Sequence, residues 1–256
     1  MITVLLTNDD GIGAPGLLAM ERAFNRIDNV DLWIIAPDGE RSACSHGMSL
    51  SKPVCIEQYE NKQKYAISGL VADCVYFGLY WCLPQKPHVV VSGINKGANL
   101  GTDVIYSGTV AGAREAAIRG IHGLSVSMVS GDDFEAAATN AAQIAVGLAS
   151  LQARPSGVLN INYPSNNFKP PRLAPLGKRI YPTIVQERKM PVSGKSYFWL
   201  GASPVKDANI KNTDGWLIGQ GIASATWLLI DQTDQSRHLV QGDNNNDFIN
   251  LSARQK

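Results

Sequence analysis

The stretch ITVLLTNDDGIGAPGLLAMERAFNRIDNVDLWIIA, residues 2–36, sets the fold class of this chain. It opens with a mostly apolar run at 2–7 that predicts a buried strand. Between residues 17 and 24 the apolar side chains recur three and four positions apart, which is the spacing of one helix face. A second apolar run, DLWIIA at 31–36, predicts another strand. Strand, helix and strand in this order are typical of a βαβ unit, in which the two strands are parallel.

The same alternation continues to about residue 165 and predicts a mostly parallel sheet with helices between its strands. Two β-like pieces, VCIEQ and KYAIS, lie between Lys52 and Ser68 and predict a hairpin at one edge of this sheet. The remaining predicted elements are strands at 88–92, 123–128 and 158–161 and helices at about 71–82, 109–119 and 133–151. In the helix at 109–119 we expect Arg114, Glu115 and Arg119 to meet solvent.

The sequence changes in character after residue 165. Prolines interrupt it repeatedly, and the pieces RIYPTIVQE, SYFWLG and TWLLID predict strands without intervening helices. We therefore expect two regions, an α/β core at 1–165 and a β-rich extension at 166–256. Extended hairpins with little core of their own often pack onto a second subunit, so this pattern also predicts a homo-oligomer.

Charge and hydropathy exclude several classes of protein. The chain has 23 lysines and arginines against 22 aspartates and glutamates, so it lacks the basic excess with which proteins coat DNA or RNA. No apolar run approaches the roughly 20 residues of a membrane-spanning helix. The N-terminus has no basic leader, and carboxylates follow as early as Asp9, so a signal peptide does not fit and a cytoplasmic location is expected.

Ligands of parallel α/β sheets bind beyond the carboxyl ends of the strands, where four polar segments of this chain are expected to meet. The first segment places Asp9 and Asp10 directly after a predicted buried strand. Two partly buried carboxylates repel each other unless protons or a cation relieve the repulsion. A divalent ion such as Mg²⁺, Mn²⁺ or Ca²⁺ suits all-oxygen ligands. The alternative is that one aspartate caps the next helix and the other is solvated. The Asp-Asp pair taken alone does not distinguish this alternative from a metal site.

The second segment, at 38–46, contributes Ser42 and His46. Ser42 is a candidate hydroxyl ligand of the metal, and the absence of a G-x-S-x-G context disfavours a serine-hydrolase nucleophile. Imidazole groups titrate in the range that suits proton transfer, so His46 is a candidate general acid or phosphate contact. A histidine in such a loop is more often a surface or structural residue.

The third segment, at 92–109, is rich in glycine and asparagine. Its glycines let backbone N–H groups converge on an anion, and Asn95 and Asn99 add amide groups four positions apart. A predicted helix begins here, and a helix N-terminus with hydroxyl donors is a phosphate site. The residues at that start are Ser107, Gly108 and Thr109. A flexible loop with an ordinary helix cap is the alternative, because the segment matches neither a Walker A loop nor G-x-G-x-x-G.

Together with a fourth segment at 160–163, these loops offer ligands for one divalent ion beside an anion-binding helix start. This combination suits metal-assisted hydrolysis of a phosphate ester. A haloacid-dehalogenase-like phosphatase is a rival, but it needs two aspartates separated by one residue, and the side chains of adjacent Asp9 and Asp10 point in different directions. A nucleotide-binding module without catalysis is the second rival.

The same segments resemble the stationary-phase survival protein E family, SurE, whose members are metal-dependent nucleoside monophosphate phosphatases. The resemblance rests on four motifs in order. They are TNDDG-x-x-A-x-G at 7–16, APD-x-x-RSA-x-x-H at 36–46, SG-x-N-x-G-x-N-x-G-x-D-x-x-YSGTV at 92–110, and N-x-N-x-P at 160–164. The last third is looser, with R-x-Y at 179–181 and N-T-D at 212–214, and ASATWLLID at 223–231 departs from the usual GYVSVTPL-like strand.

The resemblance implies a site and an activity. One divalent ion, Mg²⁺ or Mn²⁺ first and Ca²⁺ or Co²⁺ otherwise, would bind Asp9, Asp10, Ser42 and Asn95, with Asp9, Asn95 and His46 as the catalytic candidates. Asn99, Ser107, Gly108 and Thr109 would lie close to the substrate phosphate. The family hydrolyses 5′- and 3′-nucleoside monophosphates and, in some members, short polyphosphate. It is similar to a Rossmann-like three-layer sandwich whose C-terminal extension is exchanged between the subunits of a homodimer or homotetramer.

Overall fold

The computed structural model describes residues 1–60, 62–152, 157–200 and 205–233. The helices are α1 (Pro15–Phe24), α2 (Val71–Phe77), α3 (Gly108–Ile118), α4 (Glu135–Ala149) and α5 (Asp214–Gly219). A π-helical turn at Gly78–Cys82 continues α2, and a 3-10 turn at Gly101–Ile105 precedes α3. No helix within the described ranges is long and apolar enough to cross a membrane. The strands are β1 (Ile2–Thr7), β2 (Val30–Pro37), β3 (Ile56–Gln58), β4 (Lys64–Ile67), β5 (Val89–Lys96), β6 (His122–Met128), β7 (Gly157–Tyr163), β8 (Lys169–Leu173), β9 (Arg179–Ile180), β10 (Val185–Lys189), β11 (Ser196–Leu200), β12 (Lys206–Asp207) and β13 (Ile222–Leu229).

Nine strands form one sheet in the order β3-β4-β2-β1-β5-β6-β7-β13-β8. Every adjacent pair of strands between β4 and β7 in this order is parallel. Antiparallel pairing occurs between β3 and β4 and between β7 and β13, while β8 runs parallel to β13. The mostly parallel sheet confirms the predicted α/β class, and the β3–β4 pair confirms the predicted edge hairpin.

Helices cover both faces of this sheet, because side chains of successive strand residues point to opposite faces. Val4 and Leu6 of β1 belong to one buried cluster together with residues of α1 and α4. Leu5 belongs to a second cluster together with residues of α2 and α3. The central strands are therefore buried on both sides, and the molecule has the three layers of a Rossmann-like sandwich.

Two expectations from the sequence are wrong. The extension contains a helix, α5, which begins after Thr213 in an extended conformation and carries Asp214 in its first turn. Glu115 does not meet solvent but is 3% exposed. Its surroundings explain this, since α3 lies against the sheet and α2, and a loop from the end of β2 brings His46 onto Glu115.

The region after residue 165 contributes to the main sheet and to two small sheets. Strand β13 pairs with β7 over Ser224 to Leu229, so part of the extension completes the central sheet. Strands β10 and β11 form an antiparallel hairpin, and β9 pairs with β12. Residues 201–204 and 234–256 of the predicted extension lie outside the described residues. The division into 1–165 and 166–256 stays a prediction.

Candidate metal and phosphate site

The turn after β1 carries two aspartates beyond the carboxyl edge of the sheet. Asn8 holds this turn, since its side-chain amide donates to the Gly11 carbonyl at 3.0 Å and accepts the Gly11 N–H at 3.2 Å. Gly11 has a φ of 103°, a conformation that residues with side chains rarely adopt. The backbone and Asn8 thus fix the internal geometry of this turn.

Asp9 is a buried carboxylate at the start of α3. It is 4% exposed, and the hydroxyl of Thr109 donates to its Oδ1 at 2.6 Å. The helix begins beside the other oxygen, because a Cβ atom built on Gly108 would lie 2.8 Å from Oδ2. Burial raises the pKa of Asp9 and outweighs the Thr109 hydrogen bond, which lowers it. The ionised form of Asp9 is therefore under-stabilised by the protein alone.

The pKa of the Asp10 carboxyl is also raised. Burial raises its pKa to about 6, against the hydrogen bond from the Lys96 backbone and with a further increase from the neighbouring Asp9 carboxylate. The Lys96 N–H donates to Oδ2 at 3.2 Å. Two adjacent carboxylates whose pKa values are both raised fit a divalent cation, which would stabilise both in the ionised form.

A cavity of about 980 Å³ brings together the four residues expected to bind metal, Asp9, Asp10, Ser42 and Asn95. The amide nitrogen of Asn95 donates to the Gly97 carbonyl at 3.0 Å, so its amide oxygen is the atom that can serve as a ligand. Ser42 reaches the cavity from the loop after β2, but its hydroxyl donates to Oε1 of Glu40 at 2.8 Å. Ser42 therefore differs from the other three residues because its hydroxyl is hydrogen-bonded to the exposed carboxylate of Glu40.

The charged residues that line this cavity are mostly acidic. Five of them are carboxylates, and one is a lysine, Lys96, which is paired with Asp132 at 2.5 Å. The carboxylates are Asp9, Asp10, Glu40, Asp103 and Asp132. Such a lining repels a phosphate group unless a cation offsets its charge. The donor set and the electrostatics of the cavity thus both fit a bound divalent ion.

The residues expected near a phosphate lie around the start of α3. Ser107 is the N-cap, and its hydroxyl oxygen accepts the Val110 N–H at 3.0 Å. The N–H groups of Gly108 and Thr109 belong to the first helical turn, where no acceptor within the helix is available. The Thr109 hydroxyl and the Thr109 backbone N–H both donate to Asp9, so the N–H of Gly108 is the available backbone donor, and contact of Thr109 with a phosphate stays a prediction.

Asn99 lines the cavity but is held mainly by buried asparagines of β7. Its carbonyl accepts hydrogen bonds from Asn160 at 2.9 Å and Asn162 at 3.0 Å, and its backbone N–H donates to Asn162 at 2.8 Å. Its side-chain nitrogen donates to Ser127 at 2.7 Å. Asn160 and Asn162 of the fourth polar segment therefore hold the glycine-rich loop at Asn99 and are themselves buried outside the cavity.

His46 is directed away from the cavity. Its Nε2 lies 3.0 Å from Oε2 of Glu115, and Arg119 donates to the other oxygen of Glu115 at 2.8 Å. Burial alone would raise the pKa of Glu115, but the hydrogen bonds from His46 and Arg119 outweigh it and lower the pKa. A catalytic role for His46 stays a prediction, whereas this contact supports a role in holding the loop that carries Ser42.

Several cavity residues were not singled out from the sequence. Glu40 and Lys96 lie inside the motifs quoted above and could have been found as the charged positions next to the predicted ligands. Tyr181 follows β9 in the extension, where no local pattern points to a site. Sequence position alone does not indicate that this tyrosine reaches the cavity, because the contact joins regions that are distant along the chain.

Comparison with known proteins identifies the family. The family model described as "Survival protein SurE" matches residues 4–183. The chain belongs to the SurE family. It is similar to the 5′-nucleotidase SurE of Geotalea uraniireducens, with 38% identity over 90% of this chain and 94% of the relative. It is also 41% identical to the 5′-nucleotidase SurE of Moorella thermoacetica, over 91% of this chain and 92% of the relative.

A solved SurE structure supports the same assignment. The SurE protein from Aquifex aeolicus superposes with a TM-score of 0.77 and 31% identity, and the match covers 91% of this chain and 96% of the other. The likeness to this SurE structure thus extends over nearly the whole of each chain. SurE membership also disfavours the haloacid-dehalogenase-like alternative.

Proposed function

We propose that this chain is a divalent-metal-dependent phosphomonoesterase that hydrolyses nucleoside 5′-monophosphates to nucleoside and phosphate. The observation that carries the proposal is one cavity that is lined by the carboxylates of Asp9 and Asp10 and in which Asp9 lies beside the start of α3. The similarity to proteins named 5′-nucleotidase SurE supports the substrate class. Divalent-metal dependence is a general property of the family and agrees with the raised pKa values of both aspartates.

The proposed ligands of the ion are Asp9, Asp10, Asn95 and Ser42. When bound, the ion neutralises phosphate charge and activates water. Asp9 is fixed through Oδ1 by Thr109, which leaves Oδ2 as the oxygen for the ion or for a proton from the attacking water. Asn95 is oriented by its bond to the Gly97 carbonyl. To act as a ligand, Ser42 must exchange its bond to Glu40, which the partial exposure of this loop permits.

The phosphate itself is proposed to lie at the start of α3. The backbone N–H of Gly108 would donate to one of its oxygens, Thr109 would lie beside it while held by Asp9, and the helix dipole would favour its negative charge. Ser107 caps the helix and shapes this end of the cavity, while Asn99 shapes the floor through its bonds to β7. Hydrogen bonds hold Ser107 and Asn99 in place without a ligand, and such preorganisation is the condition for electrostatic stabilisation of a transition state.

Finer properties of the activity are also proposals. We propose Mg²⁺ or Mn²⁺ as the ion, with Ca²⁺ and Co²⁺ as alternatives, because the ligands are oxygens. Hydrolysis of 3′-monophosphates and of short polyphosphate is expected from the family resemblance. The cytoplasmic location expected from the N-terminal sequence stays a prediction.

We also propose that the protein is a homodimer or homotetramer whose extension is exchanged between subunits. The β10–β11 hairpin supports this, because it carries large apolar side chains that are exposed in a single chain. Phe198 and Trp199 are each 61% exposed, and Leu200 is 86% exposed. Exposed apolar surface of this kind is typical of protein–protein interfaces.

A phosphate-release panel tests the function. It combines AMP, GMP, CMP and UMP in their 5′ and 3′ forms and a short polyphosphate with Mg²⁺, Mn²⁺, Ca²⁺ or Co²⁺, each against a chelator control. The proposal predicts release from 5′-monophosphates only when a divalent ion is present. Binding of nucleotide without metal-dependent release would contradict it and would support the noncatalytic module.

A further inference from the structure

Two tyrosines lie together in the exposed part of the cavity. The ring centroids of Tyr106 and Tyr181 are 5.9 Å apart, and their planes meet at 79°. The two residues are 55% and 40% exposed, and both line the same cavity as Asp9 and Asn95. The polar end of the cavity therefore continues into a surface of open aromatic rings.

Tyr181 is held in this position by charged neighbours. Its hydroxyl donates to Oδ1 of Asp103 at 2.5 Å, and Arg179 donates to Oδ2 of the same carboxylate at 2.9 Å. Both Arg179 and Asp103 are largely buried. Burial and the Asp103 carboxylate raise the pKa of Tyr181 to about 12, so its phenol remains a proton donor at neutral pH. Its ring is thus pre-positioned, unlike that of a free surface tyrosine.

Tyr106 links this aromatic pair to the phosphate end of the site. It directly precedes Ser107, the N-cap of α3, and Gly108 lies against Asp9. Its carbonyl accepts the Ser45 N–H at 3.1 Å, which also connects it to the loop that carries Ser42. A ligand with its phosphate at the helix start therefore has the two rings as the next part of the cavity.

We propose that Tyr106 and Tyr181 form a stacking surface for the nucleobase of the substrate. This inference rests on the proposed function and assigns part of substrate recognition to the C-terminal extension, which supplies Tyr181. Recognition is through the ring faces, because the Tyr181 hydroxyl is already bound to Asp103. Every base has a π face, so the surface accepts purines and pyrimidines and disfavours phosphate esters that lack a base.

Comparison of AMP with ribose 5-phosphate tests the proposal, since these substrates share the sugar phosphate and differ in the base. For Tyr181→Ala we expect KM for AMP to rise about tenfold, the scale of one lost base–aromatic stack, with KM for ribose 5-phosphate unchanged. Tyr181→Phe keeps the ring but loses the hydrogen bond to Asp103, so its KM for AMP should lie between those of the wild type and Tyr181→Ala, with KM for ribose 5-phosphate unchanged. Tyr59→Ala is the matched control, because Tyr59 is 42% exposed in the β3–β4 connection, away from the cavity.

An unchanged KM for AMP in Tyr181→Ala overturns the proposal. An equal loss on both substrates also overturns it, because it indicates general damage to the site. If the wild-type protein releases phosphate from neither substrate with any ion, the proposed function fails. The stacking surface is then tested by measuring the binding of AMP and of ribose 5-phosphate by equilibrium dialysis. Tighter binding of AMP than of ribose 5-phosphate that is lost in Tyr181→Ala and at least partly kept in Tyr181→Phe supports the surface. Equal binding of the two ligands by the wild type contradicts it.

Discussion

The hydroxyl of Thr109 donates a 2.6 Å hydrogen bond to Oδ1 of Asp9, and this bond joins residues 100 positions apart in the chain. Both side chains are buried, so the bond orients one carboxylate oxygen and leaves the other beside the start of α3. The first polar turn and the glycine-rich loop are thereby fixed relative to each other. The proposed metal site and the proposed phosphate site therefore both adjoin this hydrogen bond.

Replacement of Thr109 by valine tests that contact while keeping the side-chain shape. The hydrogen bond lowers the pKa of Asp9, so its loss should raise that pKa further and weaken metal binding. A hydrogen bond to a charged group is worth about 1.5–3 kcal/mol, so we expect kcat/KM at limiting metal and pH 7 to fall at least tenfold. The pH–activity profile should move to higher pH. Thr109→Ser should restore most of the activity, and equal behaviour of the two variants would contradict the assigned role.

The metal-free protein should become more stable when Asp10 is replaced by asparagine. Burial raises the pKa of Asp10 to about 6, so the folded state binds more protons than the unfolded state between about pH 4 and 6. This carboxylate therefore costs stability as the pH rises through that window, and the full cost is present at pH 7. We expect Asp10→Asn to raise the free energy of unfolding by about 1–2 kcal/mol at pH 7 and to have little effect at pH 3.5.

Urea titrations with a chelator present, at the two pH values, measure this difference. A divalent ion should stabilise the wild type and should stabilise Asp10→Asn much less. A variant that is less stable than the wild type at pH 7 without metal would show that Asp10 serves the fold instead of the ion.

Gly108→Ala should damage the site through a single methyl group. The added Cβ atom would lie 2.8 Å from Oδ2 of Asp9, a contact that forces the carboxylate or the helix start to shift. We expect metal-dependent activity to fall by about two orders of magnitude. The control is Gly147→Ala in α4, where a Cβ atom meets nothing within 4 Å.

Gly147→Ala should keep full activity and gain about 0.5–1 kcal/mol of stability, because alanine has the higher helix propensity. The two variants are compared by phosphate release and by thermal unfolding. Normal activity in Gly108→Ala would place the reacting groups away from the start of α3.

His46→Ala tests whether this histidine acts on substrate or holds its loop. Its ring contacts Glu115 and lies outside the cavity lining, so we expect a severalfold weaker metal affinity through the Ser42 loop and an unchanged pH–rate profile at saturating metal. Metal titrations and pH profiles of kcat separate the two roles. Loss of one limb of the profile together with a large fall in kcat would instead place His46 in catalysis.

The parts of the site that follow strand ends could be predicted from the sequence. Asp9 follows β1, Ser42 lies in the loop after β2, and Asn95 lies at the end of β5, and parallel strands bring their carboxyl ends to one edge. Local pattern was therefore sufficient to place these residues in a single cavity. The expectation that Glu115 meets solvent is wrong because a loop distant in sequence, which carries His46, covers that face of α3.

Contacts made by the extension could not be predicted in the same way. The R-x-Y segment has no periodicity that indicates a site, yet Tyr181 reaches Asp103 and Tyr106. Asp214 belongs to a helix that the sequence pattern did not predict, and it accepts the N–H of Gly101 at 2.8 Å and of Gly177 at 2.7 Å. These interactions position the glycine-rich loop, and they become visible only in three dimensions.

Phosphate release from AMP by metal-stripped protein decides whether Asp9 holds a catalytic metal ion, when Mn²⁺ is added back in steps to the wild type and to Asp9→Asn. We expect no release before metal is added, saturable release by the wild type as metal is added, and at least a hundredfold lower release by a folded Asp9→Asn variant. Release that is independent of metal, or that is equal in the two proteins, would contradict the assignment of Asp9 and the cavity as the catalytic site.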